Sequence, residues 1–264
     1  MRRYTVADSR SGFTLIELVL VIVLLGIVAV ASTQFIQQGV GIYVDSARRD
    51  ALQQQGRYAI ERINRELRNA LPGSVRVATN ASTQCLEFMP VKSASSYLQA
   101  VSNQAITSLN VVDFGYTFGS GDLIAIYPID QSSVYSSPSA IGTLSGATAA
   151  VSDQQTLSLA SKQFPAESPT RRFYIVTEPV SFCAVDNALR RYQGYARTAT
   201  QVLPPNSGVL LAEHIRLVDG AGSVTVFDFT AGAAQRAIVH LDLRFSDDGE
   251  WVRFSQEVFV RNTP

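Results

Sequence analysis

The chain has 264 residues with 22 basic and 22 acidic side chains, enough for one sizeable domain or two small ones, and too evenly balanced for a sequence-wide polyanion footprint. Nucleic acid is therefore not an expected partner. Only two cysteines occur, Cys85 and Cys183, neither in a CxxC pair nor beside a histidine, and no GxSxG, Walker, HExxH or dinucleotide GxGxxG pattern is present, so the composition points to no metal, no cofactor and no enzyme.

Arg2, Arg3 and Arg10 outnumber Asp8 ahead of an apolar stretch, residues 13–31, whose single charge is Glu17. With Ser32 included, the stretch is about the roughly 20 residues a helix needs to cross the hydrocarbon of a bilayer. Arginines before it and none immediately after it place the N-terminus in the cytoplasm. An ordinary secretory signal has a shorter apolar core followed by a small-residue cleavage site. Here the basic leader ends at a glycine before the apolar run, and a carboxylate follows five positions later. A lone acidic side chain inside a spanning segment costs about 2.5–3.5 kcal/mol, so Glu17 needs a partner.

The run Gly12-Phe13-Thr14-Leu15-Ile16-Glu17 resembles the GFTLIE processing site of type IV prepilins and type II secretion pseudopilins, matching it at every position. The resemblance implies that a membrane prepilin peptidase cuts between Gly12 and Phe13, removing residues 1–12, and methylates the new amino group of Phe13. It further implies that Glu17 meets the amine of a neighbouring subunit's Phe13. The implied partners are that peptidase, other major and minor pilins, and the assembly platform of the inner membrane. The spacing suits the role, because positions four apart lie one helical turn apart and an axially offset neighbour can bring its amine to the carboxylate. The alternative is a plain signal anchor whose Glu17 snorkels to the interface.

No proline occurs from Phe13 until Pro72, and beyond Tyr43 the pattern turns amphipathic, with Ile60, Ile63, Leu67 and Leu71 at helical spacing. Arg57 and Glu61, Glu61 and Arg65, and Arg62 and Glu66 stand four apart on the polar side. A helix over residues 13–71, its first part (13–32) transmembrane, is expected to run roughly 87 Å, with its second half packed on a head of residues 72–264. Gly39 and Gly41 cost about 1 kcal/mol each relative to alanine and mark residues 37–41 as the place for a bend. Pro72 and Gly73 stop the helix.

After Gly73 the period shifts toward two, with short β-branched or aromatic runs at 75–78, 86–89, 123–127, 156–159, 173–177, 180–185, 189–192, 224–229, 237–245 and 252–260. Asp186-Asn187 and Asp248-Gly249 each separate two such runs and predict antiparallel hairpins. The Ser-rich segments 131–140 and 143–155 read as long surface loops or a flexible insertion. If the head is extracytoplasmic, an oxidising compartment allows Cys85 and Cys183 to join, closing a loop of roughly 100 residues at up to about 4.7 kcal/mol. Two unpaired buried thiols are the alternative.

Other candidates carry less. His214 and His240 lie in apolar alternating segments and read as strand histidines. Asp247-Asp248-Gly249-Glu250 offers too few oxygens for calcium. Asn80-Ala81-Ser82 is a formal glycosylation sequon. Tyr127, Tyr135, Tyr192 and Tyr195 with Arg190, Arg191 and Arg197 have the chemistry to stack on and hold a glycan or nucleic acid.

Beyond the processing site, residues 57–77, the hairpin from Cys183 to Tyr192 and the C-terminal strands resemble the large minor pilins, among them those of the mannose-sensitive haemagglutinin system, and the J-type minor pseudopilins. The implied fold is α+β and pilin-like, a long N-terminal helix on an antiparallel β-sheet head. The implied life history is a single-pass inner-membrane protein with a periplasmic head, later built into a pilus or pseudopilus at or near its tip. Two further classes remain: a tip adhesin or DNA-binding module, and a periplasmic enzyme on a signal anchor.

Overall fold

The computed structural model describes residues 12–261 apart from 103, 138, 206, 220–221 and 232–235; the leader residues Arg2, Arg3, Asp8 and Arg10 lie outside the described residues. The architecture is α+β and pilin-like, a long apolar N-terminal helix with antiparallel sheets. Two units divide the chain, Met1–Arg49 and Asp50–Pro264, and one helix, α1 (Leu15–Leu67), contributes residues to both.

In the first unit, α1 is long and apolar enough to cross a membrane by length and composition, with a mean hydropathy of 2.9 over its most apolar window and none of that window buried. The helix continues through Gly39 and Gly41, where the sequence marked a place for a bend. Two residues that each cost about 1 kcal/mol do not outweigh the cooperative ladder on either side.

In the second unit the same helix becomes one-sided. Leu52, Gly56, Ala59, Ile60, Ile63 and Leu67 are buried at helical spacing, while Glu61 and Arg65, at 2.9 Å, and Arg62 and Glu66, at 2.6 Å, pair along the outer side. Gly56 permits the closest approach: a Cβ there would stand 2.0 Å from Phe254 Cε2. Gly56→Ala is expected to lower the melting temperature of the detergent-solubilised chain, because overpacking costs about 1–3 kcal/mol and outweighs the roughly 1 kcal/mol gained in helix propensity. A melting temperature at or above that of the parent chain would mean that Phe254 swings aside freely.

The helix stops at Leu67, short of the expected Leu71. Its last carbonyls are taken by a tighter turn, Asn69 N–H to Glu66 O and Ala70 N–H to Leu67 O, and the next residues join a strand: Leu71 N–H donates to Met89 O and Val91 N–H to Asn69 O. The neighbouring strand thus captures the backbone before proline would have ended the helix.

The strands are β1 (Arg76–Thr79), β2 (Thr83–Phe88), β3 (Val91–Ser96), β4 (Ala105–Val112) and β5 (Leu123–Ile126). A short helix, α2 (Gln131–Tyr135), precedes β6 (Ile141–Ala147), β7 (Gln154–Gln163), β8 (Arg172–Val176), β9 (Val180–Val185), β10 (Ala188–Tyr192) and β11 (Val209–Ala212). The chain closes with β12 (Val218–Asp219), β13 (Gly222–Ser223), β14 (Phe227–Ala231), β15 (Arg236–Asp247) and β16 (Glu250–Arg261). They form a sheet of order β1-β2-β9-β10-β11, a sheet β14-β15-β16, a ribbon β12-β13, and a sheet of order β3-β8-β5-β6-β7-β4. Residues 52–67 of α1 share one core with the first two sheets, through Leu86, Phe88, Phe182, Leu189, Leu241 and Phe245.

The expected hairpins are present. Asp186 and Asn187 join β9 to β10 at φ 50 and 58, and Asp248 and Gly249 join β15 to β16 at φ 43 and 90, the left-handed pair that a tight two-residue turn requires.

The Ser-rich region departs from expectation, since residues 131–155 hold α2, β6 and the start of β7 rather than a loop. β6 is an interior strand of a sheet whose outer strands, β3 and β4, are themselves linked by a Tyr97–Val111 bridge and by Leu98 N–H to Asn110 O, so the sheet closes on itself. Its interior is filled by Ile106, Leu109, Ile124, Leu157, Phe164 and Phe173 among others. This barrel occupies the whole stretch between β2 and β9, which pair directly with each other. The serines on β6 and β7 belong to outward faces, and those near α2 cap it: Ser133 N–H donates to Asp130 Oδ1 at 2.7 Å and Ser133 Oγ accepts from Asp130 N–H at 3.1 Å.

The Ser133 N–H holds the Asp130 carboxyl below its ordinary 3.8. Its capping contribution is therefore complete above that value and is lost as pH falls through the lower folded value. Asp130→Ala is expected to cost about 1 kcal/mol at neutral pH and less in acid, measured by chemical denaturation at pH 7 and at pH 3. An equal cost at both would contradict a charged cap.

Candidate functional site

The Gly12–Phe13 bond lies in exposed, non-helical backbone just ahead of α1. Thr14 ends that segment and caps the helix: its Oγ1 accepts the Glu17 N–H at 3.3 Å, and its carbonyl accepts from Glu17 at 3.1 Å and Leu18 at 3.2 Å. The cap fixes where the helix starts, so Glu17 falls in its first turn, where the helix dipole favours a negative charge. Phe13 nitrogen is in a peptide bond with Gly12 and carries no charge.

Glu17 stands one turn from Phe13, and among the described residues no side chain pairs with its carboxylate. Around it Phe13, Leu15, Ile16, Leu18, Leu20 and Ile22 are exposed, a surface that only lipid or other apolar helices can cover.

The cysteines are brought together. Cys85 on β2 and Cys183 on β9 face each other across the ladder and are joined in a disulfide, buried beneath Tyr192, Tyr195 and Leu203. Gln201 Nε2 donates to Cys85 O at 3.1 Å, tying the covering loop down.

The tyrosines and arginines that looked like ligand-holding groups serve the interior instead. Arg76, which sequence reasoning passed over, donates from Nε to Glu87 Oε1 at 2.8 Å and to the carbonyls of Ala199 and Thr198 at 2.8 and 3.0 Å. Its guanidinium lies 3.6 Å over the Tyr135 ring. Tyr195 donates to Glu87 Oε2 at 3.1 Å, and Ser181 Oγ stands 2.6 Å from the same hydroxyl. Tyr135 donates to Ser74 O at 2.7 Å, and Arg197 donates to Val134 O. Burial and the nearby Glu87 charge push the Tyr195 and Tyr135 phenols well above their ordinary value, so both remain protonated donors. Arg191 holds Glu66 of α1 at 2.9 Å, Arg190 reaches Gly208 O, and Tyr192 is buried against the disulfide. Tyr127, at φ 51, packs on the barrel core. A charged pair this deep needs every lone pair met, and these side chains meet them.

The histidines separate. His240 is a strand residue of β15 with Nε2 3.1 Å from Ser255 Oγ, whereas His214 lies outside any strand at φ 63, 3.7 Å from Asp247. Asp247 and Glu250 are a cross-strand pair flanking the turn, and among the described residues no three His, Cys, Asp or Glu gather to hold a metal. Asn80 Oδ1 accepts from Ser82 and Thr83 N–H, an Asx turn at the sequon.

Against known proteins, residues 8–33 match the prokaryotic N-terminal methylation motif, which supports a type IV pilin-like prepilin. That motif family is structural, not enzymatic; it implies processing by prepilin peptidase and pilus assembly interactions, and together with the apolar helix it fits inner-membrane anchoring. No curated protein and no solved structure matches the chain.

Proposed function

We propose that the chain is a minor pilin of the MshO class, an assembly or priming subunit of a type IV pilus of the mannose-sensitive haemagglutinin kind, placed at or near the tip. Prepilin peptidase cuts between Gly12 and Phe13 and methylates Phe13, leaving a positive amine at the start of an apolar helix. The subunit waits in the inner membrane with its head in the periplasm and leaves laterally when the assembly platform adds it to the filament. Glu17 then takes the Phe13 amine of a neighbour and sets the axial register between subunits.

The observation that carries this reading is the block from Gly12 to Glu17, capped by Thr14 and followed by an apolar helix with none of its most apolar window buried. The tip position is favoured by the barrel between β2 and β9, bulk that a tightly packed shaft would have to repeat at every subunit. Intact-mass analysis of the chain expressed with and without prepilin peptidase tests the processing. Loss of residues 1–12 with one added methyl group is expected only when the peptidase is present. Antibody labelling tests the position, and signal spread evenly along filaments would refute a tip subunit.

A further inference from the structure

One edge of the β14-β15-β16 sheet is β16, which runs twelve residues in unbroken register with β15 and, among the described residues, pairs with no other strand. Edges of that length are ordinarily blunted by proline, a bulge or a covering segment, and β16 has neither a proline nor a bulge. The Asp248-Gly249 turn makes Asp247 and Glu250 a hydrogen-bonded pair, so the even-numbered residues from Glu250 to Val260 bond to β15. The N–H and C=O groups of Trp251, Arg253, Ser255, Glu257 and Phe259 therefore point away from it. The same five side chains lie exposed on the outer face, Trp251 at 63% and Phe259 at 61%.

Along that edge the order is aromatic, cation, hydroxyl, anion, aromatic, a pattern that is its own complement when reversed. An antiparallel copy centred on Ser255 sets Trp251 opposite Phe259, Arg253 opposite Glu257 and Ser255 opposite its own counterpart, and the twofold axis repeats each unlike pair. Odd residues then oppose odd ones, so the edge-facing N–H groups meet carbonyls. Sliding the copy by two residues either way sets Trp251 opposite Glu257 or Arg253 opposite Phe259, so the side chains select one register. The charges are available for it. Among the described residues Glu257 has no partner, and Arg253 gives Nε and Nη2 to Asp242 at 2.8 and 3.1 Å, which leaves Nη1 to donate. On the inner face the same register brings the copy's Gln256 opposite Phe254, at a groove of about 340 Å³ in which Asn64 Oδ1 is buried without a hydrogen-bond partner.

We infer that β16 is a self-docking edge, through which two copies of this chain pair antiparallel and join their three-stranded sheets into one. A second copy is the occupant because it carries the complementary order of aromatic and charged side chains in its own sequence. The pairing uses residues of the second unit alone and needs no filament, so it stands or falls separately from the assembly reading.

The full chain carrying Ser255→Cys, purified in detergent and treated with a short bismaleimide, tests the pairing. Both native cysteines are buried in their disulfide, so the introduced thiol is the one the reagent reaches. A covalent dimer is expected at a yield at least about tenfold above that of Ser82→Cys, an exposed position away from the edge that reports chance encounters within a shared micelle. Adding Glu257→Arg opposes like charges twice across the axis and should cut the Ser255→Cys yield at least about threefold. Adding Arg253→Glu to that chain exchanges the two charges and should restore the yield, since Asp242 keeps Arg244 at 2.9 Å. A yield no higher than that of Ser82→Cys, indifference to Glu257→Arg, or no recovery on the exchange overturns the self-docking edge. So does treatment of producing cells in which position 255 captures another protein and no second copy.

Discussion

A chain carrying Glu17→Ala is expected to be cut, methylated and retained in the membrane, yet to be recovered from sheared filaments at least about tenfold less than the parent. Alanine removes the roughly 2.5–3.5 kcal/mol that a lone carboxylate costs in a spanning segment, so insertion is not impaired. What is lost, in the assembly proposed above, is the partner for the next subunit's Phe13 amine. Leaving one charge of a buried pair uncompensated costs about 3–5 kcal/mol, and about 1.4 kcal/mol already amounts to a factor of ten in an equilibrium. Thr14 still accepts the N–H of residue 17, because that bond uses the backbone, so the start of the helix is preserved. The variant thus separates the charge from the fold. Immunoblots of membrane and sheared-filament fractions give the result, and equal filament recovery for variant and parent would show that the Glu17 carboxylate does not set incorporation.

The N-terminal helix and its methylation motif were legible because their signals are local. Residues 13–31 hold one charge, and Thr14-Leu15-Ile16-Glu17 places a capping hydroxyl three residues before an acid. The two tight hairpins were legible for the same reason, since Asp-Asn and Asp-Gly accept positive φ where other residues resist it. The barrel was not. Its strands β3 and β6, Val91–Ser96 and Ile141–Ala147, are rich in Ser, Ala, Gly and Thr, and they are strands because neighbours pair with them, β8 with β3 and both β5 and β7 with β6. Closure through Tyr97 and Val111 depends on pairing that no local pattern encodes. The ligand-like set of tyrosines and arginines misled for a related reason: chemistry suited to holding a glycan is equally suited to satisfying a buried Glu87, and burial alone distinguishes the two. The free edge of β16 was hidden as well, since strand order decides which strand has one partner.

Replacing both cysteines, Cys85→Ala with Cys183→Ala, is expected to lower the melting temperature of the solubilised chain by about 10 °C. The bridge spans a sequence separation of 98 and in the chain-entropy model removes up to about 4.7 kcal/mol of freedom from the unfolded state. Each kcal/mol corresponds to about 2–4 °C in a domain of this size. The effect is larger than the bridge's place in an already paired ladder suggests. β2 and β9 face each other from Thr83–Val185 to Phe88–Val180, yet the whole barrel lies between them in the chain, so their pairing must close a longer loop than any other strand ladder among the described residues before it gains any contact. The disulfide makes that closure permanent. Both sulfurs are buried, and the loop bound by Gln201 covers them, so a reductant should leave the native melting curve unchanged over minutes and lower it only after the chain has been unfolded and refolded in its presence. Melting curves of the parent and double variant, with and without reductant, measure this. A double variant within about 2 °C of the parent would place the closure cost elsewhere, in the buried Arg76–Glu87 pair that ties the same strands to the loop at Thr198.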